Sequence, residues 1–113
     1  MIKVSNELLS AVLGKNVIKS HPSIEGDRGQ SVSENKLTIV VDNGVSPRSF
    51  YYNIYELADK VMGWIESQGF WIRIIHRDCY ELIYKSQEVY YNYTKTRIDV
   101  PFMCGQWILD NQK

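Results

Sequence analysis

Histidine and cysteine are the side chains best suited to catalysis or metal binding, and this chain has two of each: His21, His76, Cys79 and Cys104. His76 and Cys79 lie three residues apart, a spacing that could place an imidazole beside a thiol. A structural zinc site usually needs four ligands in two short pairs, and the sequence has no second Cys-x-x-Cys or His-x-x-His pair. The pattern predicts no metal site, and a small enzyme with a site near His76 and Cys79 stays open as a hypothesis.

The tripeptide His76-Arg77-Asp78 matches the start of the protein-kinase catalytic loop. A kinase also needs a glycine-rich loop, an Asp-Phe-Gly motif and a much longer chain than these 113 residues. The sequence also lacks a Gly-x-Ser-x-Gly elbow, a phosphate loop and a dinucleotide fingerprint. The absence of these motifs favours a protein that is not an enzyme and that uses no cofactor.

Aromatic residues are the compositional peculiarity of the chain, with eight tyrosines, three tryptophans and three phenylalanines. Several tyrosines fall on predicted strands close to basic residues. The partner-binding surface predicted from them comprises Tyr84, Tyr90, Tyr91, Tyr93, Arg73, Arg77 and Lys85. Because neighbouring side chains of a strand point to opposite faces, Tyr90 and Tyr91 cannot share a face of the sheet.

Three interpretations of these tyrosines are open at this stage. Tyrosine suits half-buried sheet positions and needs no function there. Tyrosine and tryptophan also anchor protein interfaces, because they bury a large area and keep a polar tip. Aromatics beside cations on a sheet are also used to stack bases and hold phosphates of single-stranded nucleic acid. Thirteen basic and thirteen acidic residues leave no net charge, which favours a protein partner over nucleic acid.

Three helices must position these side chains, and the sequence predicts them over residues 5–13, 54–68 and 100–111. The central helix is the best specified, because Asn53 can cap it and Gly69 can end it. Its apolar residues recur at helical spacing, which places them on one stripe: Ile54, Leu57, Ala58, Val61, Met62 and Ile65. Asp99 is the predicted cap of the last helix.

Strands are predicted between the helices, at residues 17–19, 37–41, 49–52, 70–75, 79–84 and 89–94. The polar segment 20–35, which contains Pro22, Gly26 and Gly29, predicts a mobile loop. This order of elements predicts an α+β fold: a single domain over residues 1–113, with helices packed on a mostly antiparallel, meandering sheet.

The sequence also limits where the protein works. It has no apolar run of the roughly 20 residues that cross a bilayer, so no membrane association is predicted. The N-terminal stretch contains Glu7 and a helical pattern in place of a signal-peptide core, which predicts a cytoplasmic protein. In that compartment both cysteines are expected to be free thiols. No feature of the sequence indicates an oligomeric state.

In overall character the chain resembles the small accessory proteins of phages and mobile elements: short, charge-balanced, aromatic-rich and without a catalytic signature. The resemblance implies a phage- or prophage-derived protein that binds and modulates or inhibits a host protein or defence complex. It rests on no motif, so it assigns a role to no residue. The leading hypothesis is a small non-enzymatic binding protein. The alternatives are a single-stranded nucleic-acid-binding module on the same sheet face and the small enzyme near His76 and Cys79.

Overall fold

The computed structural model of the protein describes residues 4–25 and 31–112, which form an α+β fold. The elements follow one another as α1 (Asn6–Leu13), β1 (Val17–Glu25), β2 (Ser31–Asp42), β3 (Pro47–Asn53), α2 (Ile54–Ser67), β4 (Phe70–Ile74), β5 (Cys79–Tyr84), β6 (Gln87–Tyr93) and α3 (Asp99–Asn111). All strand pairing is antiparallel. The predicted class and the antiparallel pairing are confirmed, but the strands form two three-stranded sheets, β1-β2-β3 and β4-β5-β6.

The chain divides inside α2 into two compact units, the first ending at Leu57 and the second beginning at Ala58. The prediction of a single domain stays a prediction. In the first unit, the Ser5 hydroxyl caps α1 by accepting a hydrogen bond of 3.0 Å from the amide of Leu8. Gly14 ends the helix in the left-handed conformation, with φ of 66°. The buried apolar residues of this unit include Leu8, Leu9, Val17, Leu37, Ile39 and Val41.

The segment 20–35 corrects the sequence interpretation. Residues 20–25 continue β1 and residues 31–35 begin β2, so the predicted loop is wrong for the described part of this segment. Residues 26–30 lie outside the described residues. Polar residues form strands here because β1 and β2 pair with each other, as where Glu25 pairs with Ser31. Proline is tolerated because β1 is an edge strand, and the register shifts immediately after it, between Pro22 and Ile24.

The central helix agrees with its prediction at both ends. The Asn53 side-chain oxygen accepts a hydrogen bond of 2.8 Å from the amide of Tyr55, which caps α2. The chain leaves the helix through Gly69, whose φ is 89°. Five of the six predicted stripe residues are buried, and Met62 is half-buried. The buried five are Ile54, Leu57, Ala58, Val61 and Ile65.

In the second unit, β5 is the central strand and its hairpin to β6 turns at Lys85 and Ser86. Both residues have positive φ, 52° and 65°, as a two-residue turn of the type I′ class requires. The helix α3 begins one residue earlier than predicted, and Asp99 is its first residue, not its cap. Ile98 occupies the cap position with helical backbone angles, so the prediction of Asp99 as the cap is wrong. Gly105 is buried and does not interrupt α3.

Candidate binding face on the second sheet

The register of the β4-β5-β6 sheet decides which side chains can act together. Arg73 on β4 pairs with Glu81 on β5, and Glu81 pairs with Tyr91 on β6. Paired residues of antiparallel strands point to the same face, and side chains two residues apart on one strand do so as well. Trp71 and Tyr93 therefore belong to the same face as the Arg73-Glu81-Tyr91 row. We call the face formed by Trp71, Arg73, Glu81, Tyr91 and Tyr93 the aromatic face.

The opposite face of the sheet packs against α3 through a cluster of rings. The Tyr84 ring stacks on Phe70 with the two centroids 4.6 Å apart. The Tyr90 ring stacks on Trp107 of α3 with a centroid distance of 5.5 Å. Buried Tyr80 lies 6.3 Å from Tyr90, again between ring centroids. Tyr90 therefore has a structural role in joining α3 to the sheet, and Tyr84 supports Phe70, whose ring meets Trp107 edge-on with the centroids 6.5 Å apart.

Burial changes the chemistry of two groups near α3. It raises the pKa of the Tyr80 hydroxyl well above its usual value. That hydroxyl donates a hydrogen bond to the Met103 sulfur, 3.3 Å away. Burial also raises the pKa of the Cys104 thiol to about 12. Both groups therefore stay protonated near neutral pH, and neither is prepared to act as a nucleophile or base.

The rings of the aromatic face are open to solvent. Trp71 is 47% exposed, Tyr91 is 54% exposed and Tyr93 is 66% exposed. In a small folded protein, tryptophan and tyrosine side chains normally bury most of their surface. Three rings therefore offer apolar surface to solvent on one face of one sheet.

A buried carboxylate lies at the centre of this face. Glu81 is only 4% exposed, and Ile83, which shares this face two residues further along β5, is also 4% exposed, although the rings of the edge strands are open. Its Oε1 atom forms an ion pair with the Arg73 guanidinium, whose side chain is 58% exposed. The same Oε1 is buried, so the Arg73 guanidinium takes the place of water as its partner. The pair is a cross-strand salt bridge between a buried carboxylate and a partly exposed arginine side chain.

Tyr91 is linked to the thiol of Cys79, which pairs with Tyr93 at the start of β5. A hydrogen bond with this thiol is the main cause that raises the pKa of the Tyr91 hydroxyl, and the negative charges of Glu88 and Glu81 act in the same direction. The Tyr91 hydroxyl therefore remains neutral at physiological pH and can take part in hydrogen bonds at the rim of the face.

The structure divides the seven predicted site residues. It brings Arg73, Tyr91 and Tyr93 together on the aromatic face, and it places Tyr84 and Tyr90 on the opposite face. The other two cations lie in turns at the ends of the strands. Arg77 is exposed between β4 and β5, and the Lys85 ammonium lies 5.2 Å from the centroid of the Tyr84 ring. The predicted opposition of Tyr90 and Tyr91 is confirmed.

Sequence reasoning missed two members of the face, Trp71 and Glu81. Trp71 carries a sequence signal, because it lies two residues before Arg73 on the same strand and must share its face. Glu81 follows only from the register that pairs it with both edge strands, and its burial is visible only in the folded protein.

His76 and Cys79, the residues of the hypothetical enzyme site, contact each other through their backbones. The amide of His76 donates a long hydrogen bond of 3.4 Å to the carbonyl of Cys79, and the His76 side chain is exposed. Both cysteines are free thiols, Cys79 half-buried and Cys104 buried. Within residues 4–25 and 31–112, no group of three His, Cys, Asp or Glu side chains is placed to hold a metal ion.

The described residues also form open hollows away from the aromatic face. One of about 260 Å³ is lined by Tyr90, Met103, Gln106, Trp107 and Asp110 on the α3 side of the second sheet. One of about 360 Å³ in the first unit is lined by residues that include Lys15, Arg48 and Phe50. The Lys15 ammonium lies 4.0 Å from the centroid of the Phe50 ring, as in a cation–π contact. Neither hollow brings together an acid, a base and a nucleophile.

Comparison of the chain with protein-family models, with curated proteins and with solved structures finds no match. None of the helices in the described part of the chain is long and apolar enough to cross a membrane.

Proposed function

We propose that this chain is a non-enzymatic binding protein that holds a protein partner on the aromatic face. The observation that carries the proposal is the joint exposure of Trp71, Tyr91 and Tyr93 on one face of one sheet. Tryptophan, tyrosine and arginine dominate the residues that contribute most to protein–protein affinity. A sheet supports these side chains on a rigid backbone, so little ordering is needed when a partner binds.

The charges of the face favour a protein over nucleic acid. A phosphate backbone is held by cations that are free to pair with it. Arg73, the one cation of the aromatic face, is already paired with Glu81. Arg77 and Lys85 lie in turns beyond the strand ends, and the whole chain carries no net charge. A carboxylate at the centre of the face would also repel a phosphate placed over it.

A finer form of the proposal gives the protein a role in modulating or inhibiting a host protein, as phage or prophage accessory proteins do. Only the overall character of the chain supports this form. A cytoplasmic location belongs to the same proposal, and the free thiols of Cys79 and Cys104 support it.

The test begins with capture of partners by the tagged full chain from cells of its source, followed by measurement of affinity for each purified partner. Tyr91→Ala and Tyr93→Ala should each weaken the complex, and at least one of them by about 2 kcal/mol, or roughly 30-fold in Kd. Tyr51→Ala is the matched control, because Tyr51 is a 72% exposed tyrosine on β3 of the first sheet. It should change Kd by less than about threefold.

Two outcomes would contradict the proposal. In the first, the Tyr51 variant weakens the complex as much as the Tyr91 and Tyr93 variants do. In the second, the protein binds single-stranded oligonucleotides below micromolar Kd at physiological salt, with an affinity that falls steeply with added salt and is lost in Arg73→Ala and Arg77→Ala. The second result would replace the protein partner by nucleic acid.

A further inference from the structure

We infer that β4 is a dimerisation edge, along which a second copy of this chain pairs antiparallel to form one continuous sheet centred on Ile72. This dimer goes beyond the proposed function and does not depend on it. The observation that carries it is an edge strand of regular register whose outward backbone groups and side chains complement themselves under a two-fold rotation.

The backbone of β4 offers hydrogen-bonding groups to an added strand. The amide of Ile75, which follows β4, donates a hydrogen bond of 3.0 Å to the carbonyl of Cys79, so Ile75 directs its backbone groups toward β5. Backbone groups alternate in direction along a strand, and those of Phe70, Ile72 and Ile74 therefore point away from β5. No described strand pairs with this side of β4. Three residues thus present N–H and C=O groups at the edge of the sheet.

The two edges of this sheet differ in how far they are protected against pairing. On β6 the register shifts at Val89, which has no partner on β5 and forms a bulge. The Thr94 amide donates to the Asp78 carbonyl, so the neighbouring amide of Tyr93 points outward, where the Asn92 side-chain oxygen accepts its hydrogen bond of 2.8 Å. The five residues of β4 instead pair with β5 in one unbroken register and include no proline. Of the two edges, β4 is therefore the one prepared to accept a strand.

The side chains on the α3 side of β4 match one another when the strand pairs with its own copy. With Ile72 opposite Ile72 of the second copy, Phe70 lies opposite Ile74. Ile74 is 46% exposed in the single chain, and its apolar side chain would pack beside the Phe70 ring of the second copy. Each of these pairs exchanges two backbone hydrogen bonds, so the outward groups of β4 are satisfied in both copies.

On the aromatic face, the same register places Trp71 opposite Arg73 of the second copy, and the two-fold axis repeats this contact. The two residues form a non-hydrogen-bonded pair, in which opposing side chains approach most closely. The Arg73 guanidinium keeps its ion pair with Glu81, and its side chain, 58% exposed, can lay a flat surface on the Trp71 ring. A second copy therefore fits this edge well, because each side chain of β4 meets a partner of matching chemistry.

The test is the oligomeric state of the full chain, measured by sedimentation equilibrium, with Ile72→Pro as the deciding variant. The Ile72 amide points away from β5, so proline removes a donor from the dimer and none from the pairing of β4 with β5. We expect the parent to dimerise with a Kd in the micromolar range, and Ile72→Pro to raise that Kd at least about 30-fold. Ile72→Ala is the matched control, because it removes the side chain and keeps the amide. It should raise the Kd by less than about fivefold.

A second variant tests the register through the side chains alone. Trp71→Lys places an ammonium beside Arg73 of the second copy at both contacts, so it should raise the Kd at least about tenfold. Tyr93→Lys adds the same charge to the same face at the opposite edge of the sheet, and it should leave the Kd within about twofold of the parent value.

A parent chain that stays monomeric at about 1 mM would overturn the inference, because a dimer this weak has no appreciable affinity. A dimer whose Kd is the same in Ile72→Pro as in the parent would overturn it as well, since the two copies would then meet elsewhere. If Ile72→Pro does not fold, an unchanged Kd in Trp71→Lys is the contradicting result. None of these measurements needs a protein partner, so the dimer can fail while the proposed function stands, and the reverse.

Discussion

Tyr90 and Tyr91 are adjacent in sequence, and truncating each of them to alanine should have very different effects on stability. Tyr90 stacks on Trp107 at 5.5 Å and accepts a hydrogen bond of 2.7 Å from the Asn92 amide group. The stacked pair is worth about 0.5–1.5 kcal/mol and the hydrogen bond a similar amount. Loss of the half-buried ring surface adds about 1 kcal/mol, which gives about 2–4 kcal/mol in total. Tyr91 is more than half exposed, so its truncation should cost less than about 1 kcal/mol.

The assay is urea unfolding of both variants and of the parent, followed by circular dichroism. With a slope of about 1.5 kcal/mol per molar urea, Tyr90→Ala should lower the midpoint by about 2 M and Tyr91→Ala by less than about 0.7 M. Tyr90→Phe keeps the ring and removes only the hydroxyl, so it should cost no more than about 1.5 kcal/mol. A midpoint for Tyr91→Ala as low as that for Tyr90→Ala would refute the assignment of the two faces.

Three further predictions concern stability. Leu57→Ala should lower the free energy of unfolding by about 2–4 kcal/mol, since Leu57 is fully buried on α2; an unchanged urea midpoint would contradict this. Gly69→Ala should destabilise by about 1 kcal/mol or more, because φ is 89° and the new Cβ would lie 3.3 Å from the Tyr84 ring. Gly63→Ala, inside α2 with open space around it, should stabilise by about 0.5–1 kcal/mol, so the two urea midpoints should move in opposite directions. The raised pKa of Cys104 predicts that its contribution to stability is full below about pH 9 and falls as the pH rises toward 12, since only the unfolded thiol ionises in that window. Unfolding free energies of the parent and of Cys104→Ala should therefore converge over this range, and parallel pH profiles would contradict the prediction.

Local signals account for the parts of the fold that the sequence predicts well. The α2 helix has its cap at Asn53, its terminating glycine at Gly69 and an apolar stripe along one side. Each of these signals depends on residues that are close together in the sequence. The α1 helix has the same kind of signals in Ser5 and Gly14. Their positions agree with the structure to within one residue.

Segments whose structure depends on a distant partner are the ones that sequence alone places wrongly or incompletely. Residues 20–25 and 31–35 are polar, and they become strands because β1 and β2 pair with each other. The division of six strands into two sheets likewise depends on which strands pair, and no local propensity encodes that choice.

The candidate site shows the same division between local and tertiary information. Alternation along β6 is local, so the sequence by itself determines that Tyr90 and Tyr91 point to opposite faces. Which of the two faces packs against α3, and so which tyrosine is exposed, follows only from the contact between Tyr90 and Trp107. The buried position of Glu81 between Arg73 and Tyr91 depends on the register of three strands. Register is set by long-range pairing and packing, and for that reason only the tertiary structure decides where the carboxylate lies.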